Sequence, residues 1–136
     1  MKARYCMPNN KFQILSREWF ELAIRDLDTA EREEKNGGWS NIIVFHCQQA
    51  AEKYLKGFIV LNGLDIKDEF KTHDLIRLLN YSLKFKPALK DLENGCHILT
   101  DYYIESRYPL DAPKDYSEVK VKQAIEFVKD IKNKVL

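Results

Sequence analysis

The spacing of apolar side chains predicts helices along the whole chain. A first helix is predicted from about Ser16, a suitable N-cap residue, to about Lys35. Its apolar residues recur at helical spacing and form one stripe, which consists of Trp19, Phe20, Ala23, Leu27 and Ala30. The sequence Asn-Gly-Gly at 36–38 then predicts the helix end, because glycine is the preferred residue just past a helix C-terminus.

A second helix is predicted from Ser40 or Asn41 to Asn62-Gly63. Its main apolar face contains Ile43, Cys47, Ala50, Tyr54, Phe58 and Leu61. Three further apolar residues point in other directions, namely Phe45, Ile59 and Val60. A helix that is apolar on more than one side is either central in a bundle or covered by a partner chain.

The second half of the chain predicts three more helices. The polar segment 64–71 is predicted to be a loop, and Thr72 can cap a short third helix after it. A fourth helix is predicted to begin near Pro87, a residue suited to a first helical turn, and to break before Pro109. Asp115, in D-x-x-E spacing, can start a last helix that continues to the C-terminus.

Together these elements predict an all-α, up-and-down bundle of about five helices. The bundle is assigned to residues 16–136, after an N-terminal extension at residues 1–15. A content of 45% hydrophobic and 32% charged residues is typical of a globular chain. The formal net charge of +1 excludes an electrostatic grip on nucleic acid by the whole surface, so any such contact is expected at one site.

The three cysteines are Cys6, Cys47 and Cys96, and the last two lie within apolar helical segments. Reduced thiols in the core are therefore predicted for this pair. No apolar run approaches the roughly 18 residues that cross a membrane, and residues 1–11 lack the long apolar stretch of a secretory signal. These features predict a cytoplasmic protein that does not enter a membrane.

The first candidate for chemistry is a polar strip on the second helix. His46, Gln49 and Lys53 fall within a sector of roughly 60° when residues advance by about 100° each. An imidazole, an amide and an ammonium in one strip could hold a phosphate or the edge of a base. The alternative is a solvated helix edge with one hydrogen-bonded histidine.

The second candidate surrounds the break after the fourth helix. Tyr103 and Arg107 share a face if the helix persists, and Tyr108 follows. Arginine matches the geometry of a phosphate group, and tyrosine rings offer stacking surfaces for bases. The alternative is that the tyrosines belong to the core and that Arg107 pairs with a buried carboxylate, such as Asp26, which would then be structural support.

The sequence predicts neither a metal site nor a cofactor. His46-Cys47 and Cys96-His97 are adjacent pairs, whose side chains diverge by about 100° on a helix. The chain lacks the paired spacings of zinc ligands, a Walker motif, a dinucleotide fingerprint and a G-x-S-x-G elbow. His73 is interpreted as a hydrogen-bonding residue at the start of the third helix.

Four fragments, taken together and in order, resemble the HEPN domain family, whose name abbreviates "higher eukaryotes and prokaryotes nucleotide-binding". They are W-x-x-L-A-x-x-D-L from Trp19, F-H-C-Q-Q-A-A-E-K-Y-L-K from Phe45, T-H-D-L from Thr72 and R-Y-P from Arg107. The resemblance implies an up-and-down helical bundle that is commonly dimeric. It also implies pairing with a separate small nucleotidyltransferase, often as toxin and antitoxin.

Some members of that family are metal-independent ribonucleases with an Arg followed four to six residues later by His. Here Tyr-Pro-Leu-Asp-Ala-Pro follows Arg107, and the last histidine of the chain is His97. The ribonuclease motif is therefore incomplete, and the resemblance favours a binding module over an enzyme.

Three hypotheses follow for the function. The leading one is a non-catalytic module that binds a nucleotide or RNA in a groove lined by the two candidate clusters, beside a nucleotidyltransferase. The second is a metal-independent ribonuclease with an atypical site, in which Arg107 stabilises charge and His46 acts as acid or base. The third is a homodimeric scaffold that buries Phe45, Ile59 and Val60 against a partner.

Overall fold

The computed structural model describes residues 11–64, 71–107 and 115–136, without the side chains of residues 105–107. This part of the chain contains no strand, and its helices are α1 (Lys11–Lys35), α2 (Ser40–Leu61), α3 (Leu75–Leu83), a 3-10 helix (Pro87–Leu92), α4 (Glu93–Arg107) and α5 (Glu118–Val135). The prediction of an all-α bundle of about five helices is confirmed. Most of the predicted loop at 64–71, and the predicted break at Tyr108-Pro109, lie outside the described residues.

The helices α1 and α2 form an antiparallel pair joined by a tight turn. Gly37 has a φ of 69°, which glycine adopts without the steric cost of a side chain, and the predicted helix end is confirmed there. At the other end of the pair, the ring of Phe20 occupies the space that a Cβ on Gly57 would need, at 2.6 Å. The absence of a side chain on Gly57 therefore allows the two helices to approach closely.

The prediction that Ser16 caps the first helix is wrong, because α1 already begins at Lys11. Ser16 is buried, and its hydroxyl donates a hydrogen bond to the carbonyl of Gly57 on α2 at 2.9 Å. The serine therefore joins two helices and does not end one. Local sequence alone could not separate these two roles, since both use the same hydroxyl group.

The helix α2 is central, and it packs against α1, α3, α4 and α5. Ile59 and Val60 are fully buried by this chain alone, so they need no partner chain to cover them. The scaffold hypothesis is wrong for these two residues, whereas Phe45 remains partly exposed. Leu61, which was assigned to the main apolar face, is 43% exposed at the end of the helix.

Two further predicted helix starts need correction. For α3 the N-cap is Asp74, whose carboxylate accepts hydrogen bonds from the next turn, and Thr72 instead accepts one from the Asp74 backbone. For α5 the N-cap is Ser117, whose hydroxyl accepts from the backbone of Lys120, and not Asp115. In both cases two neighbouring residues could serve as caps, and the backbone geometry chooses between them.

Cys47 and Cys96 are free and buried, as predicted for reduced thiols in the core. Burial raises the pKa of each thiol to about 12, with further contributions from nearby carboxylates. These groups are therefore protonated and unreactive near neutral pH. Cys6 lies outside the described residues.

Among the described helices, none combines the length and the apolar character needed to cross a membrane.

Candidate functional site

One polar cluster joins α1 to the predicted strip on α2. Asp26 holds His46 and Lys53 with its two carboxylate oxygens, at 2.9 Å to the imidazole Nδ1 and 2.5 Å to the Nζ. An ionised carboxylate only accepts hydrogen bonds, so Nδ1 of His46 carries the proton. Among the described residues, none bonds Nε2 of this ring.

A second cluster of the same composition lies on the neighbouring face of α2. Glu52 is buried and holds His73 by Nδ1 at 2.8 Å and Lys56 by Nζ at 2.8 Å. Gln48 adds a longer hydrogen bond to the same carboxylate at 3.4 Å. Each of the two clusters therefore consists of one carboxylate, one lysine and one histidine whose Nδ1 is fixed.

Two neighbouring amides on α2 extend the Glu52 cluster. Gln49 donates from Nε2 to the side-chain oxygen of Gln48 at 2.7 Å. Gln48 in turn donates to the backbone carbonyl of His73 at 3.1 Å. The predicted strip residue Gln49 is therefore part of the network that fixes the segment before α3.

Four rings line the surface between the clusters, and we refer to them as the ring row: His46, Phe45, Tyr103 and His73. His46 meets Phe45 edge-on, with ring centroids 5.6 Å apart. Phe45 stacks on Tyr103 at 6.2 Å, and Tyr103 stacks on His73 at 5.0 Å. The ring row therefore joins α2, the end of α4 and the segment before α3.

The structure brings together most of the residues predicted for the site. His46, Lys53 and Asp26 are in direct contact, and Tyr103 reaches them through Phe45. Lys53 already donates to Asp26, so its charge is shared with a carboxylate. Among the described side chains, Asp26 pairs with His46 and Lys53. Its predicted pairing with Arg107 stays a prediction, because that side chain lies outside the described part of the chain.

Arg107 and Tyr108 are the predicted site residues whose side chains lie outside the described part of the chain. The backbone of Arg107 ends α4, one helical turn beyond Tyr103. Its role in the site stays a prediction.

The sequence interpretation missed the second cluster, which consists of Gln48, Glu52, Lys56 and His73. His73 was interpreted as a hydrogen-bonding residue at a helix start, but its ring bonds a side chain 21 positions away and stacks on Tyr103. The signal was present in part, because Q-Q-A-A-E-K-Y-L-K from Gln48 contains the first three of these residues and T-H-D-L from Thr72 contains the fourth. Nothing in either fragment showed that they would meet.

The net charge of each cluster depends on the state of its imidazole. In each, the lysine offsets the charge of the carboxylate, so a neutral imidazole leaves the cluster without net charge. A neutral imidazole accepts at Nε2, and a protonated one donates there to an anion. Within the described residues there is no group of three His, Cys, Asp or Glu side chains that could hold a metal ion.

Comparisons with known proteins agree with this architecture. A protein from Thermus thermophilus, TT1696, has a crystal structure that matches with a TM-score of 0.77 and 27% identity, over 88% of this chain and 94% of that one. The crystal structure of ST0689, described as an archaeal HEPN homologue, matches with a TM-score of 0.69 and 27% identity, over 88% and 93%. A search of curated proteins found no match.

The family comparison covers nearly the whole bundle. The model of the HEPN domain matches residues 16–136, which include both clusters and the ring row. On that match, the chain belongs to the HEPN domain family.

Proposed function

We propose that this protein is a nucleotide- or RNA-associated HEPN accessory module that binds its ligand along the ring row. It acts with a separate minimal nucleotidyltransferase, as the two members of a toxin-antitoxin-like pair. The ligand lies across the rings, and the Nε2 atoms of the two histidines supply hydrogen bonds.

The observation that carries this proposal is the presence of two fixed imidazoles at the ends of one aromatic row. Both histidines are held by Nδ1 on a carboxylate, which orients Nε2 for an external partner. Aromatic and imidazole rings are the surfaces on which unpaired bases stack. A face that combines stacking rings with fixed hydrogen-bonding atoms matches the chemistry of a nucleotide.

Arg107 is proposed as the phosphate-binding residue of this site. Tyr103 places the last turn of α4 at the ring row, and Arg107 follows it by one turn. A guanidinium offers a planar pair of donors to phosphate oxygens, which lysine cannot match. The ammonium of Lys53, in the predicted strip, is already bonded to Asp26.

Isothermal titration of the purified protein with ATP, GTP and a short oligoribonucleotide tests the binding role. At least one of these ligands should bind. Tyr103→Ala should weaken that binding about tenfold, because it removes the ring that supports its two neighbours in the ring row, and each stacking contact to a base contributes roughly 1–3 kcal/mol. Arg107→Ala should also weaken it. Arg32→Ala, at an exposed ion pair on α1 outside both clusters and the ring row, is the control and should bind normally.

Partnership with a nucleotidyltransferase and homodimer formation are tested separately. Co-expression with the nearest encoded small nucleotidyltransferase should give a complex that survives size-exclusion chromatography. Light scattering of the chain alone should give the mass of a dimer. Several large apolar side chains are available for such contacts, among them Trp39 at 75% exposure and Val119 at 64%.

A metal-independent ribonuclease is the second candidate, and the Asp26–His46 contact favours it. A carboxylate that orients an imidazole through Nδ1 is the arrangement that general acid-base histidines use. Incubation of RNA with the protein in EDTA should then give cleavage that His46→Ala abolishes. Cleavage that is absent, or indifferent to both His46 and Arg107, removes this candidate.

A further inference from the structure

His73 combines exposure with unusually firm anchoring. Its side chain is 59% exposed, whereas the carboxylate of Glu52 that holds it is only 5% exposed. The backbone of the same residue is held as well, because Gln48 donates to its carbonyl at 3.1 Å. Exposed side chains ordinarily keep their rotational freedom, so a ring held by Nδ1 on a backbone that is itself hydrogen-bonded has lost much of that freedom before any ligand arrives.

The anchor itself is held in place from within the protein. Lys56, at 7% exposure, donates to Glu52 at 2.8 Å, and its Nζ also lies 5.3 Å from the ring centre of Trp19. A buried carboxylate is costly unless it is paired and hydrogen-bonded, and Lys56 pairs with Oε2 of Glu52. Oε1 bonds His73 at 2.8 Å, a much shorter contact than the one from Gln48 at 3.4 Å. The same bond therefore satisfies the carboxylate and orients an exposed ring.

The orientation leaves one face of the ring covered and the other open. Tyr103 stacks on His73 with centroids 5.0 Å apart and an angle of 28° between the planes. Tyr103 covers one face of the ring, yet the side chain is still 59% exposed. The opposite face is therefore turned to solvent. His73 thus forms the outer end of a stack that continues inward through Tyr103 to Phe45.

We propose that the open face of His73 is a stacking platform for a nucleobase. This inference rests on the proposed function and assigns the position of the base within that site. The base adds one layer to the stack, while Nε2 at the ring edge remains free to bond a polar group of the ligand. The base can belong to a free nucleotide or to single-stranded RNA, because both present the same planar surface.

Fluorescence of 2-aminopurine, which is quenched on stacking, tests the proposal with the full-length protein. The probes are 2-aminopurine riboside triphosphate and an oligoribonucleotide that contains one 2-aminopurine. Both the quenching and the affinity should fall about tenfold or more in His73→Ala. His73→Phe keeps a flat ring that can stack on Tyr103 but loses the hydrogen bonds of Nδ1 and Nε2, so it should retain clearly more of both than His73→Ala does. His97→Ala is the matched control, since His97 is exposed on α4 and outside the ring row.

The outcomes separate this inference from the proposed function. If neither probe, nor unmodified nucleotide or RNA, binds the unaltered protein, the proposed function fails. If a probe binds and His73→Ala binds it equally well, the stacking platform is wrong while the binding role stands. If His73→Phe loses as much affinity as His73→Ala while its circular dichroism is unchanged, stacking is not the contribution of His73. A response to the oligoribonucleotide alone identifies RNA as the source of the base.

Discussion

The two carboxylate–lysine–histidine clusters have the same composition but differ in how deeply each group is buried. In the Glu52 cluster the ion pair is buried, with side chains at 5% and 7% exposure, and the histidine is exposed. In the Asp26 cluster the carboxylate and Lys53 are more open, at 14% and 22%, and His46 is the more enclosed of the two histidines at 27%. The same three functional groups therefore occur in two environments that differ in their exposure to water.

This difference predicts unequal contributions to stability. A buried charge that loses its partner keeps the full cost of desolvation, whereas a charge near solvent can be hydrated again. We expect the Glu52 cluster to hold the fold together as well as orient His73. The Asp26 cluster should mainly orient His46 and contribute little to the free energy of unfolding.

The largest expected effect is that of Glu52→Ala. This change leaves the ammonium of Lys56 buried without its carboxylate, and it should lower the free energy of unfolding by about 3–5 kcal/mol. Urea denaturation followed by circular dichroism measures the change. Asp28→Ala is the control, because its pair with Arg32 is exposed and should contribute less than about 1 kcal/mol.

A double variant tests whether that loss of stability comes from the unpaired charge of Lys56. Glu52→Leu combined with Lys56→Met removes both buried charges and should recover most of the stability, since well-packed apolar residues can replace a buried ion pair. A Glu52→Ala variant as stable as the control would contradict the distinction between the two clusters.

The second-largest expected effect concerns the buried thiols, of which Cys47 lies on the apolar side of α2, and not the polar clusters. Burial raises the pKa of Cys47 and Cys96 to about 12, above the value of about 8.5 expected in the unfolded chain. As the pH rises, the unfolded state therefore loses these protons first. The stabilisation that the protonated thiols give the folded state is complete below about pH 8.5 and is lost as the pH rises towards 12. Between pH 9 and 10 the two thiols together should lower the free energy of unfolding by about 2–3 kcal/mol.

Urea midpoints across this pH range provide the measurement for the thiols. Cys47→Ala combined with Cys96→Ala is expected to show a shallower fall in stability from pH 9 to 10 than the unaltered protein. Equal slopes in the two proteins would mean that these thiols are not protected by burial.

The smallest expected effect is that of Asp26→Asn. Asparagine can still bond His46 or Lys53, and the site is partly open to water, so the free energy of unfolding should fall by only about 1 kcal/mol. The orientation of His46 should nevertheless change, because an amide can also donate to Nδ1 and so permit the other imidazole tautomer. Nitrogen chemical shifts of the His46 ring report that tautomer directly. A loss comparable to that of Glu52→Ala would make the two clusters equivalent.

Much of the fold could be predicted because helical spacing is a local property. The stripe on α1 and the glycine ends of α1 and α2 depend on residues within a few turns of one another. The helix starts failed because Ser16, Thr72 and Asp115 each have the right chemistry for a cap. Whether such a residue caps a helix or bonds elsewhere depends on tertiary contacts that local sequence does not contain.

The candidate site could be predicted only in part, for the same reason. His46, Gln49 and Lys53 lie on one helix, so periodicity alone placed them together. Glu52 and His73 lie 21 positions apart in the sequence, so their contact depends on how the helices pack in three dimensions. Tyr103 was identified from its residue type, but its place between Phe45 and His73 depends on how α4 crosses α2.

The most direct test of the central claim is a nuclear magnetic resonance titration that observes all three histidines of the chain at once. The side-chain resonances of His46 and His73 should shift on addition of ATP or the oligoribonucleotide, because the ligand lies along the ring row between them. Those of His97, which is exposed elsewhere on α4, should stay in place. Saturable shifts confined to His97, or shifts of none of the three at millimolar ligand, would contradict the account.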